Sequence, residues 1–326
     1  MRSPARAGAL RRLLRDKAAV VGLGIVVVVT LAVLFAPWVS THDPIDQDVA
    51  DRYALASAEH PLGTDELGRD TLSRLLHGGR YSLGMALAAS VGITLLGLAL
   101  GLASASFGRA VDTIINRVAD VFLALPTLVL MLVVVGLLGQ GLRNLIISVI
   151  LVGWPTYARV VRGMAFSVRE REFVTAAEGA GAGRTRIAIR HLAPNVIGPV
   201  IVLSTIDLGR VLLAVSALSF LGFGVTSPTP EWGAMLSDAR GFFTSHPELI
   251  FPPGIAITVM VLAFNLAGDG LRDVLDPHNI EGGARWDRRR RAAIEPDGVA
   301  VTEAVETPMS STGHRLVRSF TGVRGR

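Results

Sequence analysis

The chain contains no cysteine, which excludes disulfides and thiolate metal sites. Lysine occurs once, at Lys17, between Asp16 and Ala18. A phosphate-cradling GxxxxGKS/T loop needs a lysine directly after glycine, so the sequence carries no nucleotide loop of that kind. The seven histidines are scattered, with no HExxH and no pair at i, i+4. No metal-ligand set is read from them. Charge is also scarce: Asp, Glu, Lys and Arg make up 18% of the residues, against 50% hydrophobic. A soluble domain of this length carries more charge, so composition points to a membrane protein. A membrane enzyme would need a reactive pair at depth, and the apolar runs hold no GxSxG, HExxH or paired carboxylates.

What charge there is, a net +5, is not interleaved with aromatics as a nucleic-acid surface would be. It sits in flanks and short connections between apolar runs. Residues 1–17 form a basic tail that includes Arg2, Arg6, Arg11, Arg12 and Arg15. The run 18–39 follows, long enough for the ~20 residues that cross a bilayer. Pro37 and Trp38 stand where a signal peptide would have small cleavage-site residues. Five further runs lie at about 82–106, 119–138, 144–161, 195–224 and 249–268. The segment 40–81 is acidic and is expected outside; Arg109 and Arg117 place their connection inside. Arg159, Arg162, Arg169, Arg171, Arg184, Arg186 and Arg190 place 159–192 inside, and 225–248 returns outside. The reading is an all-α polytopic membrane protein of six transmembrane helices, with both termini cytoplasmic and a core over 82–278. The tail 279–326 is too polar to bury a core and is expected to be disordered. Its arginine run 288–291 is expected to anchor against anionic lipid.

Between the fourth and fifth runs lies EFVTAAEGAGAGRTRIAIRHLAPN, residues 172–195. Phe173, Ala176, Ala177 and Ala180 recur at helical spacing, and alanines on a face allow close approach of another backbone. GAGAG at 179–183 supplies residues that turn a helix end through positive φ. A second short helix is expected over RTRIAIRHLA, ended by Pro194 and Asn195. Residues 163–194 thus read as a basic hairpin, small on one face. It could rest on lipid headgroups or be held by another protein.

That stretch resembles the EAA loop of binding-protein-dependent ABC importer permeases, in which EAA is followed by a spaced glycine and a later I-x-L-P. Ala176, Ala177, Gly181 and Pro194 match; Thr175, His191 and Ala193 depart from the glutamate, isoleucine and leucine. HPLGTDELGRDTLSRLLHGGRYSLG (60–84), VGWPTYARVVRG (152–163), LSFLGFGV (218–225), PTPEWGAML (228–236) and FNLAGDGLRDVLDP (264–277) resemble the dipeptide, oligopeptide and nickel permeases, C-type subunit, in the right order. The resemblance implies a permease subunit of the bacterial plasma membrane that pairs with a second, homologous permease. It implies two cytoplasmic ATPase subunits that bind the ATP, an extracytoplasmic solute-binding protein, and no cofactor on this chain. The coupling residues carried over are Thr175, Ala176, Ala177, Gly181, Arg184, His191 and Pro194. Dipeptides or oligopeptides are the expected cargo, with nickel or another small solute as the alternative. An ion-driven secondary transporter would instead show internal repeats and paired acids at mid-membrane.

Asp207 and Arg210 stand three residues apart inside the fifth run, where an isolated charge costs about 2.5–3.5 kcal/mol. They can pair with each other and face a partner subunit, or line the solute path. Asn265, Asp269, Arg272, Asp273 and Asp276 close the last run and read as a helix end reaching the interface, or as a gate. Trp38 and Trp232 read as interfacial. Asp65, Glu66, Asp70 and His77 read as residues of a plain outer loop rather than a metal or acid–base site.

Overall fold

A computed structural model describes residues 16–275, with side chains through Arg272. The N-terminal arginines, Asp276, Trp286 and the tail from 279 with its arginine run lie outside the described residues. Apart from one isolated bridge between Thr64 and Asp70, the regular structure described is helical.

Helix α1 (Lys17–Leu34) continues into a single turn, α2 (Ala36–Val39). Then come α3 (Thr71–Ser106), α4 (Arg109–Leu123), α5 (Thr127–Leu138) and α6 (Leu142–Arg169). Two short helices, α7 (Glu172–Gly179) and α8 (Arg184–Ile187), lead through a π-turn at Ala188–Leu192 into α9 (Ala193–Leu218). Helix α9 ends in a second π-turn, Ser219–Phe223, and α10 (Trp232–Ala239) and α11 (Phe251–Leu275) follow. Among the described residues, five units are long and apolar enough to cross a membrane: α1, α3, α6, Arg184–Phe223 and Pro247–Arg272.

The sixth expected run is a bent pair of helices. Helices α4 and α5 meet at 98°, where a single run over 119–138 was expected. Pro126 explains the break: its ring removes a helical N–H and pushes Leu125 out of the α region. Helix α5, at 12 residues, is about 18 Å long, well short of the ~30 Å hydrocarbon layer. Arg109, Asp112, Asn116, Arg117 and Asp120 form a polar stripe on α4, so the segment expected as a loop is an amphipathic helix.

Asp70 caps α3, its carboxylate accepting from the Ser73 N–H at 2.7 Å. The helix therefore starts at Thr71, and 71–81, assigned to the outer loop by charge, are helical. At 36 residues, about 54 Å, α3 must project beyond the apolar layer. Its middle packs on α6 at close range: a Cβ on Gly97 would lie 2.3 Å from the Tyr157 Cβ. Ile93, Val149, Val161, Val200, Leu212 and Met260 join in the main core. The outward side stays apolar, with Leu137 83% exposed, which suits lipid rather than water.

At the acidic end, α10 is built into the bundle. Glu231 is fully buried and caps it, accepting from Gly233 N–H at 3.0 Å, Ala234 N–H at 2.8 Å and the Ser82 hydroxyl at 2.6 Å. Trp232 is not interfacial but buried, its indole N–H donating to the Leu75 carbonyl at 2.8 Å. Trp38 stays exposed.

Candidate functional site

Two places concentrate the residues singled out by sequence. The first is the hairpin after α6. Arg159, Arg162 and Arg169 belong to α6 itself rather than to a loop. Helix α7 closes with Ala180 as cap, Gly181 N–H donating to Glu178 O at 2.9 Å and Ala182 N–H to Ala177 O at 3.0 Å. That pair of bonds is a Schellman closure, and it requires a left-handed residue after the cap. Gly181 supplies it at φ +83°. A Cβ there would meet nothing within 4 Å, so the backbone angle, not space, demands glycine.

Buried Val174, Ile187 and Leu192 pin the hairpin to the main core. Thr175, Ala176, Ala180 and Gly181 are exposed, Ala177 is half-buried, and Phe173 lies 6.2 Å from the half-exposed His191 ring, centroid to centroid. The small-residue face is therefore open. Pro194 does not end a helix as expected. It sits in the first turn of α9, directly after the π-turn, and the chain is helical from Arg184 to Leu218. The proline lacks the N–H that would bond back into the preceding turn, and the wider π-turn accommodates its ring.

Spacing did not single out the hairpin's attachments. Arg169 donates through Nη1 to the Ala105 carbonyl at 2.8 Å and through Nη2 to Glu178 at 3.2 Å. Arg184 reaches the Phe107 carbonyl at 3.4 Å. Nearby, Arg162 grips Asp112 with two bonds, at 2.5 and 2.7 Å, while Arg159 pairs with Asp120. The end of α3, the amphipathic α4, the end of α6 and the hairpin thus form one linked layer. A charged partner on another helix gives no local signal, so only the arginines, not their partners, were legible.

The second place is a cavity of ≈ 330 Å³ between α3, α4, α5, α6 and α9. Phe122, Met131, Val152 and Ala214 make most of its wall apolar, and Tyr157, Asp207 and Arg210 add polar groups. Arg210 Nε donates to Asp207 Oδ1, and the Tyr157 hydroxyl donates to Asp207 Oδ2 at 3.2 Å. Asp207 is buried, whereas the Arg210 side chain is 70% exposed in this single chain. The pairing foreseen from i, i+3 spacing is present. Asn265 and Asp269 are exposed on α11, away from this wall.

Comparison with known proteins identifies the family of the chain. Residues 93–280 match the family described as binding-protein-dependent transport system inner membrane component. Residues 5–57 match the N-terminal TM domain of oligopeptide transport permease C. The chain is 45% identical to the nickel transport system permease protein NikC of Escherichia coli, over 78% of this chain and 92% of that one. It is 40% identical to the dipeptide transport system permease protein DppC of Alkalihalophilus pseudofirmus, over 82% and 88%. It is 41% identical to the di/tripeptide permease DppC of Pseudomonas aeruginosa, over 80% and 88%. In fold it is similar to a chain of the inward-facing MetNI methionine ABC transporter, with TM-score 0.50 and 18% identity over 63% of this chain and 98% of that one. The chain belongs to the dipeptide, oligopeptide and nickel family of ABC importer permeases, multi-pass subunits of the inner membrane.

Proposed function

We propose that the hairpin is the coupling element of this permease and that the arginine-rich end lies in the cytoplasm. The chain pairs with a second, homologous permease and works with two ATPase subunits and an extracytoplasmic binding protein. ATP is bound and hydrolysed by the ATPases. Their closure displaces the hairpin and, through it, the spans. Thr175, Ala176, Ala177 and Gly181 form the contact face, Arg184 and His191 flank it, and Pro194 leads into α9. One observation carries this reading: the hairpin is anchored by buried Val174, Ile187 and Leu192 while its small-residue face is open.

The cavity that holds Asp207 and Arg210 is our candidate for the solute path, with dipeptides or oligopeptides as cargo. The DppC relatives support that cargo. So does the charge arrangement. Asp207 is already neutralised, and the exposed guanidinium suits a peptide carboxylate while repelling a bare divalent cation. Nickel is the second reading, favoured by the 45% identity to NikC.

Co-purification in mild detergent tests the coupling role. The ATPase should accompany the chain and be lost on deletion of 172–190; transport without any ATPase would overturn the reading. Because the chain lacks cysteine, single cysteines at Thr175 or Arg184 report sidedness without background. Labelling of either from outside intact cells would refute the orientation. Reconstituted complex that takes up radioactive nickel and no labelled dipeptide would refute the cargo.

A further inference from the structure

The loop between α2 and α3 brings together three side chains that their sequence spacing does not connect. His42, His60 and Asp70 each offer a ligand atom, and these atoms lie within 4.8 Å of one another. Among the described residues this is the one such group. We propose that it is a binding site for a borderline divalent transition cation of the zinc, nickel or copper class. Two imidazoles and one carboxylate suit such ions, whereas magnesium and calcium prefer all-oxygen sets.

The geometry is close to what coordination needs. Metal–ligand bonds of about 2.0–2.2 Å put neighbouring ligand atoms roughly 3–3.5 Å apart. His60 Nδ1 and Asp70 Oδ1 already lie 3.0 Å apart. The Asp70 side chain is fully buried and that of His60 is 12% exposed, so both are held in place. The second Asp70 oxygen accepts from the Ser73 N–H, which fixes the carboxylate plane. This pre-orients the ligand in the way outer-shell hydrogen bonds do in metal sites.

Only His42 must move. Its ring is half-exposed and lies over His60 at 4.6 Å between centroids, with Nδ1 beside the Thr41 hydroxyl at 2.9 Å. Its own backbone N–H is tied to Ser73 Oγ at 3.3 Å, so the ring swings from a fixed pivot. A buried carboxylate also calls for a countercharge. Among the described residues, the ion-pair partner of Asp70 is His60, and no arginine reaches it. A cation would supply that charge and join the segment after α2, the His60 turn and the start of α3. The site stands apart from the coupling hairpin and does not rest on the choice of cargo.

The test uses the full chain purified without a polyhistidine tag, in detergent or nanodiscs, with Cu²⁺ as the probe. Electron paramagnetic resonance should show a type of Cu²⁺ site with nitrogen couplings from two imidazoles. Titration should give one such site per chain. His42→Ala should weaken it at least about tenfold, while His77→Ala and His246→Ala should leave it unchanged. His60 also bonds to the cap of α3, so His42, whose ring bonds only the neighbouring Thr41, is the diagnostic position. Absence of the two-nitrogen signal, or the same signal and affinity in His42→Ala, overturns the proposal.

Discussion

The two ends of the bundle use arginine in opposite ways. At the acidic end, Arg69 and Arg74 are buried. Arg69 bonds Asp65 at 2.6 Å and Glu66 at 2.7 Å, and Arg74 reaches Asp65 at 3.2 Å. At the hairpin end, Arg186 and Arg190 are exposed, and Arg184 holds one carbonyl at 3.4 Å. The first set rivets the chain to itself. The second set leaves most of its donors exposed. A charge count treats the two ends as mirror images in sign; burial sets Arg69 and Arg74 apart from Arg186 and Arg190.

The largest effect should come from the rivets. Arg69→Ala strands Glu66 and leaves Asp65 to Arg74 alone in a buried setting, and should cost about 3–5 kcal/mol, read as a lowered midpoint of thermal unfolding in detergent. Arg186→Ala should stay within about 0.5 kcal/mol and act on ATPase capture instead. Equal losses of stability at the two positions would break the contrast. Next in size, Glu231→Ala removes the acceptor of two N–H groups and the Ser82 hydroxyl, and should cost about 1–3 kcal/mol. This variant should leave capture of the ATPase by the folded fraction unchanged.

Gly181→Ala forces an alanine into a left-handed angle, at about 1–2 kcal/mol. Because α7 is short, the loss should fall on the hairpin alone. Capture of the ATPase should drop while the global midpoint stays put, and Gly181→Asn should be milder. The smallest effect concerns Glu66. Burial, and then the neighbouring Asp65, push its carboxyl above the ordinary 4.5. The folded state therefore holds that proton more tightly than the unfolded chain. The stabilisation is complete below about pH 4.5 and is lost as pH rises through the raised folded value. Glu66→Gln should flatten that part of the midpoint-against-pH curve, and an unchanged curve would remove Glu66 as its source.

Much of this was legible in the residues. The long apolar runs located α1, α3, α6, α9 and α11, and the i, i+3 spacing of Asp207 and Arg210 allowed the pairing that the structure shows. Gly181 was readable because a left-handed turn leaves a chemical demand for glycine. The start of α3 was readable too: Asp70 before Thr71 is a helix-cap signal, overridden by weighing charge over local chemistry. Pro126 likewise announced the break that the surrounding apolar run concealed. Trp232 misled because an indole suits either an interface or a core with one acceptor, and the Leu75 carbonyl that decides between them is remote in sequence. The partners of Arg69, Arg162 and Arg169, and the meeting of His42 with His60 and Asp70, depend on how helices cross. No window of neighbouring residues carries that information.

The helical path from Arg184 to Leu218 has a mechanical consequence. Asp207 stands about 35 Å along it from Arg184, at 1.5 Å per residue. The π-turn and Pro199 are points where this shaft can bend, but no non-helical loop separates its ends. If the hairpin is the coupling element proposed above, a tilt imposed at Arg184 would reach the Asp207 wall through this shaft, and a tilt at the wall would be carried back to Arg184.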